Sequence, residues 1–140
     1  MSVPDLPAEI AAALARHPPA VQARLLAVRA LIFAVAAETE GVGALSETLK
    51  WGEPAYLTAA SGSGTTIRLG VSKMAPGAAA VFVNCRTSLV DFYREQFGDV
   101  FEFEGNRALI VRADGPLPAV PLGICLRAAL LYHRRQHSRG

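Results

Sequence analysis

Apolar and polar positions change period along this chain, and the changes mark its elements. A short helix is expected over about Ala8–Arg16, started near Asp5 or Pro7 and stopped by Pro18-Pro19. A second helix follows to about Glu38, because Pro19 suits a first helical turn. In it Val21, Leu25, Val28, Ile32 and Val35 recur at spacings of four and three, which makes one helical face. Gln22, Arg24 and Arg29 fall off that face, and Gly41 and Gly43 break the helix. From Leu45 to Leu57 the pattern reads as two short extended pieces around Trp51-Gly52-Glu53-Pro54, since proline drives the residue before it to extended backbone. Ser61–Gly64 is a turn, and Thr65–Val71 alternates with Ile67, Leu69 and Val71 on one side and Thr66, Arg68 and Gly70 on the other. Ala79–Asn84 is a buried strand after the Pro76-Gly77 turn. Thr87 or Ser88 caps a helix to about Gln96, ended by Gly98. Val100–Glu104 and Arg107–Arg112 form a hairpin around Gly105-Asn106, and about Val120–Gln136 is a last helix burying Leu122, Leu126, Ala129 and Leu130.

The order ααββββαββα, with no internal repeat, predicts one α+β domain over residues 1–140. Its mainly antiparallel sheet of five to six strands packs against N-terminal and C-terminal helices, and about 133–140 is a frayed basic tail.

The hairpin carries the first candidate chemistry. A two-residue loop puts Glu104 opposite Arg107, Phe103 opposite Ala108 and Glu102 opposite Leu109. One face then shows Phe101, Phe103, Ala108 and Ile110. The other is mixed, with Val100, Glu102, Glu104, Arg107, Leu109 and Val111. Glu102 and Glu104 project together, about 6–7 Å apart, and can share a hard metal ion with Asp99 near. The alternative is a cross-strand pair of Glu104 with Arg107 and a solvated Glu102. Trp51 and Tyr56 flank the tight turn and form a candidate aromatic wall for a small ligand. Arg68 and Arg107 are candidate anion-binding forks on the same mixed surface. Against this stands a structural Trp51, the hub of a core, whose replacement by alanine costs about 3–5 kcal/mol. Asn84 is read as a helix cap.

Composition narrows the field. The 140 residues are 51% hydrophobic and 19% charged, enough for a packed core and unlike a disordered chain. The net charge of +2 and isoelectric point of 8.8 are too mild for a nucleic-acid-binding surface. Cys85 and Cys125 form no CxxC and sit in apolar stretches, so both are expected to be small buried hydrophobes. The start lacks the basic and apolar regions of a secretory signal, and Leu25–Ala37 is interrupted by Arg29, so a soluble cytoplasmic protein without membrane contact is expected. Gly62–Thr66 resembles a phosphate-binding loop but has no lysine. His133 and His137 share helical spacing but lie in the last eight residues. No nucleophile–base or metal-hydrolase motif is present, so no catalytic residue is assigned.

Four stretches together resemble a known family. Leu49–Tyr56, read Leu-Lys-Trp-Gly-Glu-Pro-Ala-Tyr, is similar to the WG-x-P-x-Y signature of the domain-of-unknown-function 1801 family, the YdhG-like proteins. Leu26–Ile32 precedes it, and Asn84–Leu89 and Phe103–Ala108 follow it, in the family's order. The resemblance spans nearly the whole chain and implies a small bacterial α+β domain. One branch is described as frataxin-like iron chaperones, which implies iron as cargo, although the basic isoelectric point departs from the acidic ridge of such carriers.

The leading expectation is therefore a cytosolic binding domain. It holds a small anionic ligand or a metal ion on one face of its sheet, with Trp51, Tyr56, Arg68 and Arg107 at the ligand. The alternative is an iron carrier using Glu102 and Glu104. A homodimer is a third way to cover the mixed face, given Leu109 and Val111.

Overall fold

The computed structural model describes residues 3–134. Helix α1 spans Ala8–Leu14 and α2 spans Pro19–Glu38. The strands β1 (Ser46–Lys50), β2 (Glu53–Leu57), β3 (Ile67–Gly70) and β4 (Ala78–Phe82) follow, then α3 (Leu89–Phe97), β5 (Glu102–Glu104), β6 (Ala108–Arg112) and α4 (Ala119–Leu130). The six strands form one antiparallel sheet in the order β1-β2-β3-β4-β6-β5. The helices gather on one face, and among the described residues no helix covers the other.

The main core lies between sheet and helices. The expected face of α2 is buried from Val21 to Val35, and it meets Tyr56, Ile67, Leu69, Val81, Leu109 and Val111 from the strands. Two arginines expected off that face are buried as well. Arg24 donates to the carbonyls of Ala113 and Gly115. Arg29 makes a two-pronged pair with Glu47, at 2.6 and 3.0 Å, and donates to the carbonyls of Pro4 and Asp5. Burial of a guanidinium requires such partners.

The turn after β2 docks on α4. Ser63 is buried, and its Oγ donates to the Leu130 carbonyl at 2.7 Å. The N–H groups of His133 and Arg134 donate to the Ser63 carbonyl. These two residues of the expected tail are therefore tied to the domain, while 135–140, with His137, lie outside the described residues. Gly64 is required here, because a Cβ would stand 2.4 Å from the Leu130 carbonyl oxygen.

The β5–β6 register differs from the expected one. Gly105 has the positive φ of +50° that the predicted turn needs, and the Arg107 N–H closes on the Glu104 carbonyl. The Arg107 carbonyl, however, is taken by the Val83 N–H beyond β4. Pairing with β5 starts one residue later, so Glu104 faces Ala108, Phe103 faces Leu109 and Glu102 faces Ile110. A one-residue slip exchanges the faces of a strand. Leu109 and Val111 thus lie under the helices with Phe103, and the proposed reason for a dimer over the sheet disappears.

Candidate functional site

The helix-free face of the sheet is built from two cross-strand rows. Ala55, Arg68, Phe82, Ala108 and Glu104 form one, and Gly70, Ala80, Ile110 and Glu102 form the next. Most of the central positions are small. Phe82 is the only aromatic residue in these rows, and it is buried without a helix over it.

Charged side chains cover it instead. The Arg68 guanidinium lies 4.7 Å from the Phe82 ring centre and that of Arg107 lies 5.0 Å from it. Such contacts are favourable because the ring face is electronegative. Each arginine is held by a carboxylate: Arg68 by Glu53 at 2.6 Å, Arg107 by Glu104 at 3.2 Å. Glu53 folds across Gly70, where any Cβ would collide with its carboxylate. Ser72 donates its hydroxyl to Glu104.

Arg68 and Phe82 also line a cleft of about 290 Å³ at one end of this face. Its other walls come from Lys50, Trp51, Thr65, Thr66, Val83 and Asn84. Trp51 stands at the tip of the β1–β2 hairpin and is 91% exposed. It is not the core hub that its replacement cost assumed. Trp51 and Gly52, at φ +56° and +75°, are the two central residues of the turn, which is the type I′ pattern that favours Asn-Gly. Trp51 is the one non-glycine residue with positive φ among the described residues. Arg16 clamps the turn by donating to the Gly52 carbonyl. Asn84 organises the turn leading towards α3, its side chain accepting from the Arg86 N–H at 2.9 Å.

The expected site residues are thus divided. Trp51 and Arg68 share the cleft. Arg107 shares Phe82 with Arg68 but does not line the cleft. Tyr56 belongs to the opposite face: it is fully buried and its hydroxyl donates to Glu47 Oε2 at 2.7 Å. Even-numbered β2 positions face the helices once Ala55 pairs with Arg68, and this separates Tyr56 from Trp51. Glu102 and Glu104 do project on one face, but Glu102 pairs with Arg112 at 2.9 Å and Glu104 with Arg107. Among the described residues no three His, Cys, Asp or Glu side chains come together in a way that could hold a metal. The Glu102–Arg112 pair counts against an iron carrier, which needs free carboxylates.

Lys50, Glu53 and Phe82 were not singled out by the sequence reading. Phe82 had a signal in the Ala78, Ala80, Phe82 alternation, where one large residue follows two small ones on the same side. Cys85 is exposed, contrary to expectation, and Cys125 is buried. The displaced pKa values lie on the helix-covered side. Burial pushes the Tyr56 and Tyr93 hydroxyls far up, and the Cys125 thiol up to about 12. Arg29 is raised chiefly by its hydrogen bond to Glu47.

No family model matches the chain, and no curated protein matches it. A similar solved structure is the crystal structure of YdhG, a protein of the domain-of-unknown-function 1801 family from Bacillus subtilis. The two share 14% identity and superpose with a TM-score of 0.56 over 93% of this chain and 90% of that one. The chain therefore has the YdhG-like fold that the resemblance of its sequence implied.

Proposed function

We propose that this domain binds a small, flat, anionic molecule in the cleft between Trp51 and Phe82. The supporting observation is Trp51 itself. An exposed indole held over a cleft, in a backbone conformation that favours asparagine or glycine, is a strained arrangement of the kind that gathers at functional sites. The indole offers a stacking surface for an aromatic or conjugated ligand. Lys50 supplies a positive charge at the rim, and Thr65, Thr66 and Asn84 supply hydrogen-bonding groups. Arg68 is neutralised by Glu53 and contributes its planar face and remaining N–H groups. The reading is of cytosolic binding rather than catalysis.

Trp51 is the only tryptophan, so tryptophan emission, excited beyond the tyrosine absorption band, reports on this cleft alone. Titration with aromatic carboxylates and nucleoside monophosphates is expected to give saturable quenching. Lys50→Ala should weaken it at least tenfold with the circular dichroism spectrum unchanged. A linear, non-saturating response to every probe, or saturation indifferent to Lys50→Ala, would overturn the proposal.

A further inference from the structure

Helix α2 is built the wrong way round for a solvent-facing helix. In its 20 residues the charged side chains are Arg24, Arg29 and Glu38, and both arginines are buried against the domain. The side turned outward carries no charge from Ala20 to Ala37. It consists of Ala20, Ala23, Leu26, Ala27, Ala30, Leu31, Ala34 and Ala37, exposed or half-exposed, with Leu26 at 39%. A surface helix ordinarily puts its charges on that side. Half-open grooves run along both flanks, one mainly apolar and the other as polar as it is apolar. One, of about 430 Å³, is lined by Phe33, Ala34 and Leu45 among others, and one of about 310 Å³ by Leu31, Val120 and Ile124 together with Glu38 and Arg127.

We infer that this face is the interface with a second copy of the chain, packed α2 against α2 in antiparallel orientation about a two-fold axis. A two-fold contact must be complementary to itself. The order of residues meets that condition. Read from its two ends, the face pairs Ala20 with Ala37, Ala23 with Ala34, Leu26 with Leu31 and Ala27 with Ala30. Small residues at spacings of three and four let two helices approach to the short end of the usual range, about 8 Å. The flanking leucines then enter the grooves.

The charges at the ends agree. Arg16, which also holds the Gly52 carbonyl, precedes α2, and Glu38 and Glu40 lie at its other end. Each of these charges sits at the helix terminus whose dipole disfavours it. In the antiparallel pair the acidic end of one copy meets the basic end of the other. A lipid surface offers no such match. By length and composition α2 could also cross a membrane, but its arginine-bearing side is folded into the domain.

Sedimentation equilibrium of the whole 14.8 kDa chain tests this. The wild type is expected to reach twice the chain mass in a concentration-dependent way. Ala34→Glu and Ala23→Lys, both at exposed positions, should each lower the association constant at least tenfold while the circular dichroism spectrum stays unchanged. The double variant Ala23→Lys/Ala34→Glu should recover dimerisation, because residue 23 of one copy meets residue 34 of the other. A wild type that stays monomeric up to about 1 mM overturns the inference. So does a dimer indifferent to Ala34→Glu, a double variant no better than the single ones, or flotation of the monomer with lipid vesicles.

Discussion

The two faces of the sheet solve one problem in opposite ways. Under the helices, Ile67, Leu69, Val81, Leu109 and Val111 are covered by other apolar side chains. On the helix-free face, Phe82, Ala80, Ala108 and Ile110 are as well buried, but salt-bridged arginines provide much of the cover. The first face buries Arg29 in a closed network with Glu47 and Tyr56, and Arg24 against the carbonyls of Ala113 and Gly115. The second keeps its charges at the surface, where they can exchange partners. A tight core excludes ligands, whereas a layer of long charged side chains over small residues leaves a cleft.

Substitutions sharpen the contrast. The largest effect is expected from Arg29→Ala, which leaves the Glu47 carboxylate without its cation in a buried setting and should cost about 3–5 kcal/mol in urea denaturation. Replacing both partners by Met and Leu should recover much of that loss. A cost under about 1 kcal/mol for Arg29→Ala would mean that the network is not sealed. Phe82→Ala should cost about 3 kcal/mol, near the low end for a buried phenylalanine, because the arginines above can settle into the gap. A larger cost would show the helix-free face to be as rigid as the core.

Alkali should act through the helix-covered side. Tyr56, Tyr93 and Cys125 have raised pKa values when folded, so the folded chain holds protons that the unfolded chain releases. Stability should therefore be unaffected by these groups near neutrality. It should fall as pH rises above the ordinary thiol value of about 8.5 and the phenol value of about 10. Cys125→Ala should remove the part of the loss that begins near pH 8.5 and levels off near 12. Melting temperatures of the two proteins across pH 8–11 check this, and parallel profiles would count against it.

Smaller effects belong to the helix-free side. Trp51→Asn should raise stability by about 1 kcal/mol by relieving the left-handed backbone while abolishing the fluorescence signal, with chemical denaturation followed by circular dichroism. A loss of about 3 kcal/mol would restore Trp51 to a structural role. Glu102→Ala should change stability by no more than about 0.5 kcal/mol, since its pair with Arg112 is largely solvent-exposed.

Much of this architecture was legible from local signals. The element order was read correctly, and α2 begins and ends where Pro19 and Glu38 were expected to bound it. Of the aromatic and basic candidates, the fold places Trp51 and Arg68 in one cleft. Tyr56 is not there, because alternation along β2 turns it under the helices, where Glu47 takes its hydroxyl. The Glu104–Arg107 pair is present, as one reading of the hairpin had it, whereas Glu102 pairs with Arg112, which depended on which residue of β6 met β5. In that register the Arg107 carbonyl accepts from the Val83 N–H at β4's end, far away in sequence.

The sequence by itself determined the helices, strands and turns, because hydrophobic period, proline and glycine act over a few residues. It also determined that α2 would bury Val21, Leu25, Val28, Ile32 and Val35. Only the tertiary structure decided that Arg24 and Arg29 would be buried beside them, that Trp51 would stand in solvent, and which carboxylates Arg29, Arg68 and Arg112 would hold. A long charged side chain goes where a partner lies within its reach. In this molecule those partners are brought near by strand register and helix docking, and neither is written in the period of any one segment.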